Sequence, residues 1–288
     1  MEIPGKKIAT AIEKVVKKEV KRLRKKTTLK LTTFLIGNSA DQISFVKIKA
    51  KTAKRLGINF ELIHLKTTPS FEEFMYKIKQ KSQDPKTTAI IIQQPLPAQL
   101  STNSIYEYIP YEKEIEGHRH KSGFLPPIGL SVLTVLKYIY KKTKFNAGLI
   151  VEIDKEKKFF KKFFRNKRVV LVGRGITGGQ PIGKTLTEAK INFINVNSQT
   201  PDPQSYYKEA DIIITAAGKK IIQPEMLKPG VTLINVGLHR EGKKLKGDYD
   251  EKEIKELASF YTSTPGGIGP IDVLFLFKNL VDAAKMQK

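Results

Sequence analysis

Three groups of residues have types and spacings that could do chemistry. The first is the loop Gly173-Arg174-Gly175-Ile176-Thr177-Gly178-Gly179, which follows the apolar run Arg168-Val169-Val170-Leu171-Val172 and precedes a helical pattern from Pro181. Strand, glycine turn and helix start make a phosphate cradle. Glycines let the backbone approach a pyrophosphate, whose charge sits against the unpaired amides of the helix N-terminus. Taken alone, the pattern also fits an ordinary tight turn. The second group is centred on Lys49. A helical wheel over 41–56 puts it at the edge of the apolar face, with Phe45 one turn before it. Half-burial disfavours the charged form of a lysine and suits it to acid/base work, although a snorkelling lysine has the same placement. The third comprises Gln93, ending an apolar run at the point where Pro95-Leu96-Pro97 forces the chain out of a sheet, and the carboxylates of Lys113-Glu114-Ile115-Glu116-Gly117 before a glycine turn. Plain surface charge also explains the last.

Regular elements must carry these groups. Residues 6–26 place Ile8, Ile12, Val15, Val16, Val20 and Leu23 at helical spacing, which predicts an amphipathic helix with a solvated lysine face. Strands over 29–36, 58–65 and 88–93 alternate with helices over 41–56 and 70–81. This alternation predicts a parallel sheet covered by helices, with ligands beyond the carboxyl ends of its strands. On the helix over 41–56, Ile43, Val46, Ala50 and Ala53 form the expected buried stripe, and Gln42, Phe45, Lys49 and Leu56 a second stripe beside it. Lys47, Lys51 and Lys54 face solvent. In the second half a linking helix over 128–140 precedes the Lys/Phe-rich run 155–164, read as an extra amphipathic helix in preference to a grip on a partner or membrane. Strands over 168–172, 192–197, 211–217 and 232–236, helices over 181–189 and 204–209, and a final helix over 271–285 follow. That repeated pattern is the context the glycine loop requires for dinucleotide binding.

The choice of dinucleotide turns on Val196-Asn197-Ser198-Gln199-Thr200. An NAD enzyme usually places an acid there for the ribose hydroxyls, and this stretch has none. Arg174 can pair with a 2′-phosphate and Ser198 can hydrogen-bond it, so NADP is the expected cofactor. Gly218 and Leu238 follow strand ends and are expected to line the cofactor cleft. With 288 residues the chain is long enough for two domains. The absence of cysteine excludes disulfides, thiolate metal ligands and a cysteine nucleophile. His64, His118, His120 and His239 are scattered, so no metal is expected. No apolar leader and no bilayer-length stretch is seen, which predicts a cytoplasmic protein without a membrane partner. The net charge of +24 comes from lysines spread along the whole chain without interleaved aromatics, so no specific nucleic acid is expected.

Together these motifs resemble, over nearly the full length, the bifunctional methylenetetrahydrofolate dehydrogenase/cyclohydrolases of FolD type. Gly37 through Lys49 matches that family's glycine-to-Tyr-x-x-x-Lys stretch, and Gln93-Gln94-Pro95-Leu96-Pro97 its Gln-Leu-Pro-Leu-Pro. Lys113 to Gly117 is similar to its Lys-Asp-Val-Asp-Gly, and Gly173-Arg174-Gly175 to its Gly-Arg-Ser. Lys228-Pro229-Gly230 and Thr264-Pro265-Gly266-Gly267-Ile268-Gly269-Pro270 complete the set, the latter resembling Pro-Gly-Gly-Val-Gly-Pro.

The resemblance implies an α/β protein of two domains: a Rossmann-type NADP-binding domain over 126–264, and a discontinuous substrate domain with a mostly parallel sheet over 1–125 and 265–288. It implies oxidation of 5,10-methylenetetrahydrofolate with NADP, hydrolysis of the methenyl product to the 10-formyl derivative, tetrahydrofolate ligands and a homodimer. Lys49 is then the central catalytic group, and Gln93 positions or tunes it. Phe45, Glu116, Gly266, Gly267 and Pro270 belong to the substrate site; Gly173, Arg174, Gly175, Gly179, Ser198, Gly218 and Leu238 belong to the cofactor site. Several positions depart from the family pattern. Phe45 replaces a tyrosine, keeping the ring and losing the hydroxyl, and Glu116 replaces an aspartate and reaches one methylene further. Asp272 stands in place of threonine and Asn197 in place of histidine, while Pro126 and Ser263 break local patterns. These departures leave two alternatives: a dehydrogenase-only or impaired enzyme, and a basic folate- or nucleic-acid-binding protein without catalysis.

Overall fold

The computed structural model describes residues 1–242 and 244–287. The chain divides into two compact units, one of Glu13–Pro127 with the chain from Val273 on, the other of Met1–Ile12 and Ile128–Asp272. The boundaries therefore fall inside the first and last helices, α1 (Gly5–Leu23) and α9 (Gly269–Met286).

The first unit holds strands β1 (Lys30–Ile36), β2 (Asn59–Leu65) and β3 (Ala89–Ile92), with helices α2 (Ala40–Leu56) and α3 (Phe71–Gln83) between them. All pairings are parallel and the order is β2-β1-β3. Central β1 is buried along almost its whole length because it is covered on both faces, whereas β2, at an edge, is half exposed. Phe34 of β1 meets Phe74 of α3 edge to face at 5.5 Å, beside Ile36, Ile78, Ile90 and Ile92. A capping box starts α3: the Ser70 side chain accepts from the Glu73 amide, and the Glu73 carboxylate from the Ser70 amide. Gly57 in the left-handed region (φ 80°) ends α2. The buried side of α2 is turned from the expected stripe: Gln42, Val46, Thr52, Ala53 and Leu56 are buried, while Ile43 and Ala50 are half-buried. Gln42 is inward because its amide donates to the Pro95 carbonyl (2.5 Å).

The second unit carries a parallel sheet of order β10-β7-β6-β4-β5, formed by β4 (Val169–Val172), β5 (Ile194–Val196), β6 (Ile212–Thr215), β7 (Thr232–Asn235) and β10 (Phe260–Tyr261). Helices α4 (Pro127–Tyr140), α5 (Ile153–Phe164), α6 (Gly179–Glu188) and α7 (Pro203–Glu209) belong to it. The Lys/Phe-rich run is helix α5, and Phe160 and Phe164 are buried in its apolar face. Between α4 and α5, Lys137 and Glu156 form a buried ion pair (2.7 Å; side chains 6% and 7% exposed). A short hairpin, β8 (His239–Glu241) with β9 (Lys244–Lys246), and the single-turn helix α8 (Glu251–Ile254) have no counterpart in the sequence reading, because short polar segments show no periodicity. Residues 1–12 and 265–272, expected with the substrate half, pack in this unit. The Ile3 amide donates to the Tyr261 carbonyl (2.8 Å), and a Cβ on Gly5 would lie 2.3 Å from the Gly267 oxygen.

Candidate active site

Strand β3 ends at Ile92, and the Gln93 amide still donates to the Phe34 carbonyl of β1 (2.9 Å), so Gln93 leaves the sheet at its carboxyl edge. Lys49, in the middle of α2, reaches this point. Its ammonium donates to Gln93 Oε1 (3.0 Å) and lies 3.7 Å from Glu116 Oε1, with the Lys49 and Glu116 side chains 14% and 19% exposed. The structure therefore brings together Lys49, Gln93 and Glu116 from three separate parts of the chain. Gln93 is itself oriented, because its Nε2 donates to the Gln94 carbonyl (2.8 Å). Burial pushes the Glu116 carboxyl above its ordinary value, and the adjacent Lys49 ammonium opposes that shift. Phe45, one turn before Lys49 on α2, is 41% exposed, leaving an aromatic face open to a ligand.

The turn carrying Glu116 is anchored by groups to which sequence reasoning gave no role. Glu114 is 1% exposed and accepts from the amides of Glu116 (2.8 Å), Gly117 (3.1 Å) and Arg119 (3.3 Å) and from the Ser122 hydroxyl (3.2 Å). Desolvation raises its carboxyl, and nearby His118 pulls it back. The Gln94 amide donates to the Tyr106 hydroxyl, and the Tyr106 ring stacks on His118 at 4.5 Å. Gly117 adopts φ +79°, and a Cβ there would meet Pro126 Cδ at 2.8 Å, so a side chain is excluded on both counts.

In the other unit, the glycine loop joins β4 to the N-terminus of α6. Gly173 has φ +113°, and a Cβ on it would lie 2.5 Å from the Ala216 oxygen; a Cβ on Gly179 would lie 2.2 Å from the Gly173 oxygen. Gly175 has open space around it. The start of α6 has neither an acidic residue in its first turn nor a side-chain cap, so its positive end is uncompensated by the protein. Val172 of β4 pairs with Val196 of β5. Arg174 and Ser198 each lie two residues past that pair, in the loops that leave the carboxyl ends of β4 and β5, and both are exposed. Asn195 adds a tie, its amide donating to the Gly173 carbonyl (2.9 Å). Gly218 (φ +70°) and Leu238 lie together, a Gly218 Cβ being 3.4 Å from the Leu238 oxygen. Beneath them is a polar network. Asp248 accepts from the amides of Ala217 (2.8 Å) and Lys219 (3.1 Å), and Asn235 donates to the Gly237 carbonyl (2.9 Å) and the Thr264 hydroxyl (2.8 Å). In the loop leading to α9, a Cβ on Gly267 would be 2.6 Å from the Ser263 oxygen, Gly266 has φ +112°, and Pro270 lies in the first turn of the helix.

Residues 3–116 match the tetrahydrofolate dehydrogenase/cyclohydrolase catalytic domain, and residues 152–288 match the NAD(P)-binding domain of the same enzymes. The bifunctional protein FolD of Staphylococcus carnosus (strain TM300) is 32% identical over 99% of this chain and 97% of its own length. The chain belongs to the tetrahydrofolate dehydrogenase/cyclohydrolase family. Its fold is that of FolD. The crystal structure of the bifunctional FolD methylenetetrahydrofolate dehydrogenase/cyclohydrolase from Campylobacter jejuni superposes with a TM-score of 0.86 at 28% identity, covering 100% of this chain and 99% of that one. The Trypanosoma brucei FolD, solved with NADP and an inhibitor, superposes with a TM-score of 0.78 at 25% identity over 99% of this chain and 97% of its own.

Judged against the family, the glycine cradle and the bare helix start fit a dinucleotide. The Asn235–Asp248 network and Asn195 escaped the sequence reading because each acts through partners far along the chain, which no local spacing signals. Among the described residues no group of three or more His, Asp or Glu could hold a metal ion, and no helix is long and apolar enough to cross a membrane.

Proposed function

We infer that this protein oxidises 5,10-methylenetetrahydrofolate with NADP and hydrolyses the resulting 5,10-methenyl cation to 10-formyltetrahydrofolate. The observation that carries this reading is the meeting of Lys49, Gln93 and Glu116 in a chain of this family. NADP, when bound, supplies the hydride acceptor. Gly173, Gly175 and Gly179 with the start of α6 would hold its pyrophosphate, Arg174 and Ser198 its 2′-phosphate, and Gly218 and Leu238 would line its site. Folate would be handled by the unit containing Lys49, with the Phe45 ring beside its aromatic portion and Glu116 accepting from the pterin. Gly266, Gly267 and Pro270 offer close backbone approach to a flat ring.

The two reactions ask different things of the protein. Hydride loss from the methylene carbon needs orientation and little proton traffic. Hydrolysis needs water to add to the methenyl carbon and give up both its protons in turn, one going to N5 and one released to solvent, as the C–N5 bond breaks and the formyl C=O forms. Lys49 is placed to move those protons at its Nζ, and Gln93 Oε1 holds that atom in position. The pair of functions is tested by following the reduced-nicotinamide band with methylenetetrahydrofolate and NADP, and then formyl product formation from methenyl substrate. A flat trace from folded protein rejects the reading.

We further propose that the chain works as a homodimer in the cytoplasm. The family resemblance supports the first, and the intracellular nature of folate and NADP chemistry the second. Light scattering of the purified protein and microscopy of a tagged chain test them.

A further inference from the structure

The turn after Lys113 is held far more firmly than a surface loop requires. We propose that Glu114 is a positioning residue of the active site, its buried carboxylate clamping the turn over 116–122 and so setting where Glu116 meets Lys49. This rests on the reading of Lys49 and Glu116 as the reacting site. A carboxylate in the interior costs several kcal/mol unless its acceptor sites are filled. Here its hydrogen-bond partners are donors, three amides and a hydroxyl, matching the roughly four acceptor positions of an ionised carboxylate. A neutral side chain cannot hold that many donors at once.

The clamp also has a fixed base. Glu114 bridges Ile90 of β3, and the Ile90 amide donates to the Lys113 carbonyl (2.9 Å). Gln93 lies three residues along from Ile90, so β3 is the common reference for both groups that touch Lys49. The Ile115 carbonyl between the two glutamates is held by Asn279 of α9 (2.8 Å), and the far side of the turn is held through His118 stacked on Tyr106, which accepts from Gln94. The path Lys49–Gln93–Gln94–Tyr106–His118–Glu114–Glu116 therefore returns to Lys49. Loosening Glu114 frees the segment of that ring that carries Glu116, which lies outside any helix or strand.

The test is a double-mutant cycle in the full-length enzyme. Glu114→Gln replaces one acceptor by a donor and is expected to lower kcat/KM for methylenetetrahydrofolate by about 10- to 100-fold, the loss for hydrogen bonds to a charged group. NADP binding by calorimetry is expected to stay within about twofold, since no clamp residue belongs to the cofactor site. The discriminating readout is coupling: Glu114→Gln with Glu116→Gln should be no slower than Glu116→Gln alone, with the same division between kcat and KM. Full additivity, or wild-type kinetics for Glu114→Gln, overturns the clamp and leaves the function standing. Wild-type kinetics for Glu116→Gln overturns the site reading and the clamp together. If Glu114→Gln does not fold, Ser122→Ala decides: a loss of about 2- to 10-fold that vanishes in the Glu116→Gln background supports the proposal. No loss, or an additive one, overturns it.

Discussion

Replacing Lys49 with methionine keeps the length and apolar stem of the side chain and removes the ammonium. Proton transfer by a positioned group contributes about 10²- to 10⁴-fold. The hydrolytic rate should fall by that much, while the dehydrogenase rate, which needs orientation alone, should fall far less. The same substitution leaves Glu116 buried without its cation. At 3.7 Å and an effective dielectric of about 20 their attraction is about 4 kcal/mol, and partial solvent contact reduces its net worth to about 1–2 kcal/mol. Burial already raises the Glu116 carboxyl, Lys49 opposes this, and the variant should raise it further. A carboxyl whose folded value is raised stabilises most below its unfolded value and loses that contribution as pH rises through the folded one. The variant should therefore melt about 3–6 °C below wild type at pH 8 and approach it near pH 5. Separate assays of methenyl and formyl formation, with melting at both pH values, check the two halves. Equal loss of both activities, or a melting deficit that grows on acidification, would refute the reasoning.

Arg174→Ala should raise KM for NADP by about 10- to 100-fold and leave KM for NAD nearly unchanged, because the guanidinium would meet the 2′-phosphate alone; steady-state kinetics with both cofactors decide it. Lys137→Met should cost about 1.5–3 kcal/mol in denaturant unfolding, since the buried Glu156 loses one of the two ammoniums paired with it and keeps that of Lys141, and adding Glu156→Leu should recover much of that. Asp84, held by the Lys30 ammonium (2.7 Å) and the Lys86 amide (2.8 Å), has its carboxyl lowered to about 2. A lowered carboxyl stabilises above its unfolded value and loses this as pH falls through the folded one. Asp84→Asn should therefore cost about 1 kcal/mol at pH 6, after discounting for exposure, and almost nothing near pH 2, as measured by denaturant midpoints.

The sequence by itself determined what local patterns can encode. The alternation of apolar runs with helical spacing yielded both parallel sheets, and the glycine loop, lying between a strand and a helix start, was legible because its chemistry is set by backbone neighbours. Lys49 and Gln93 could be singled out one at a time, from a helical wheel and from a proline exit. That Lys49 donates to Gln93 and faces Glu116 was a tertiary outcome, since the residues lie 44 and 67 positions away along the chain. The wheel likewise placed Val46 and Ala53 on the buried side of α2 but could not show the carbonyl of Pro95, which draws Gln42 inward while Ile43 and Ala50 are left half-buried. Glu114 was indistinguishable from surface charge in the sequence. Folding made it otherwise, because three amides and a hydroxyl of its own turn close around the carboxylate and water is excluded.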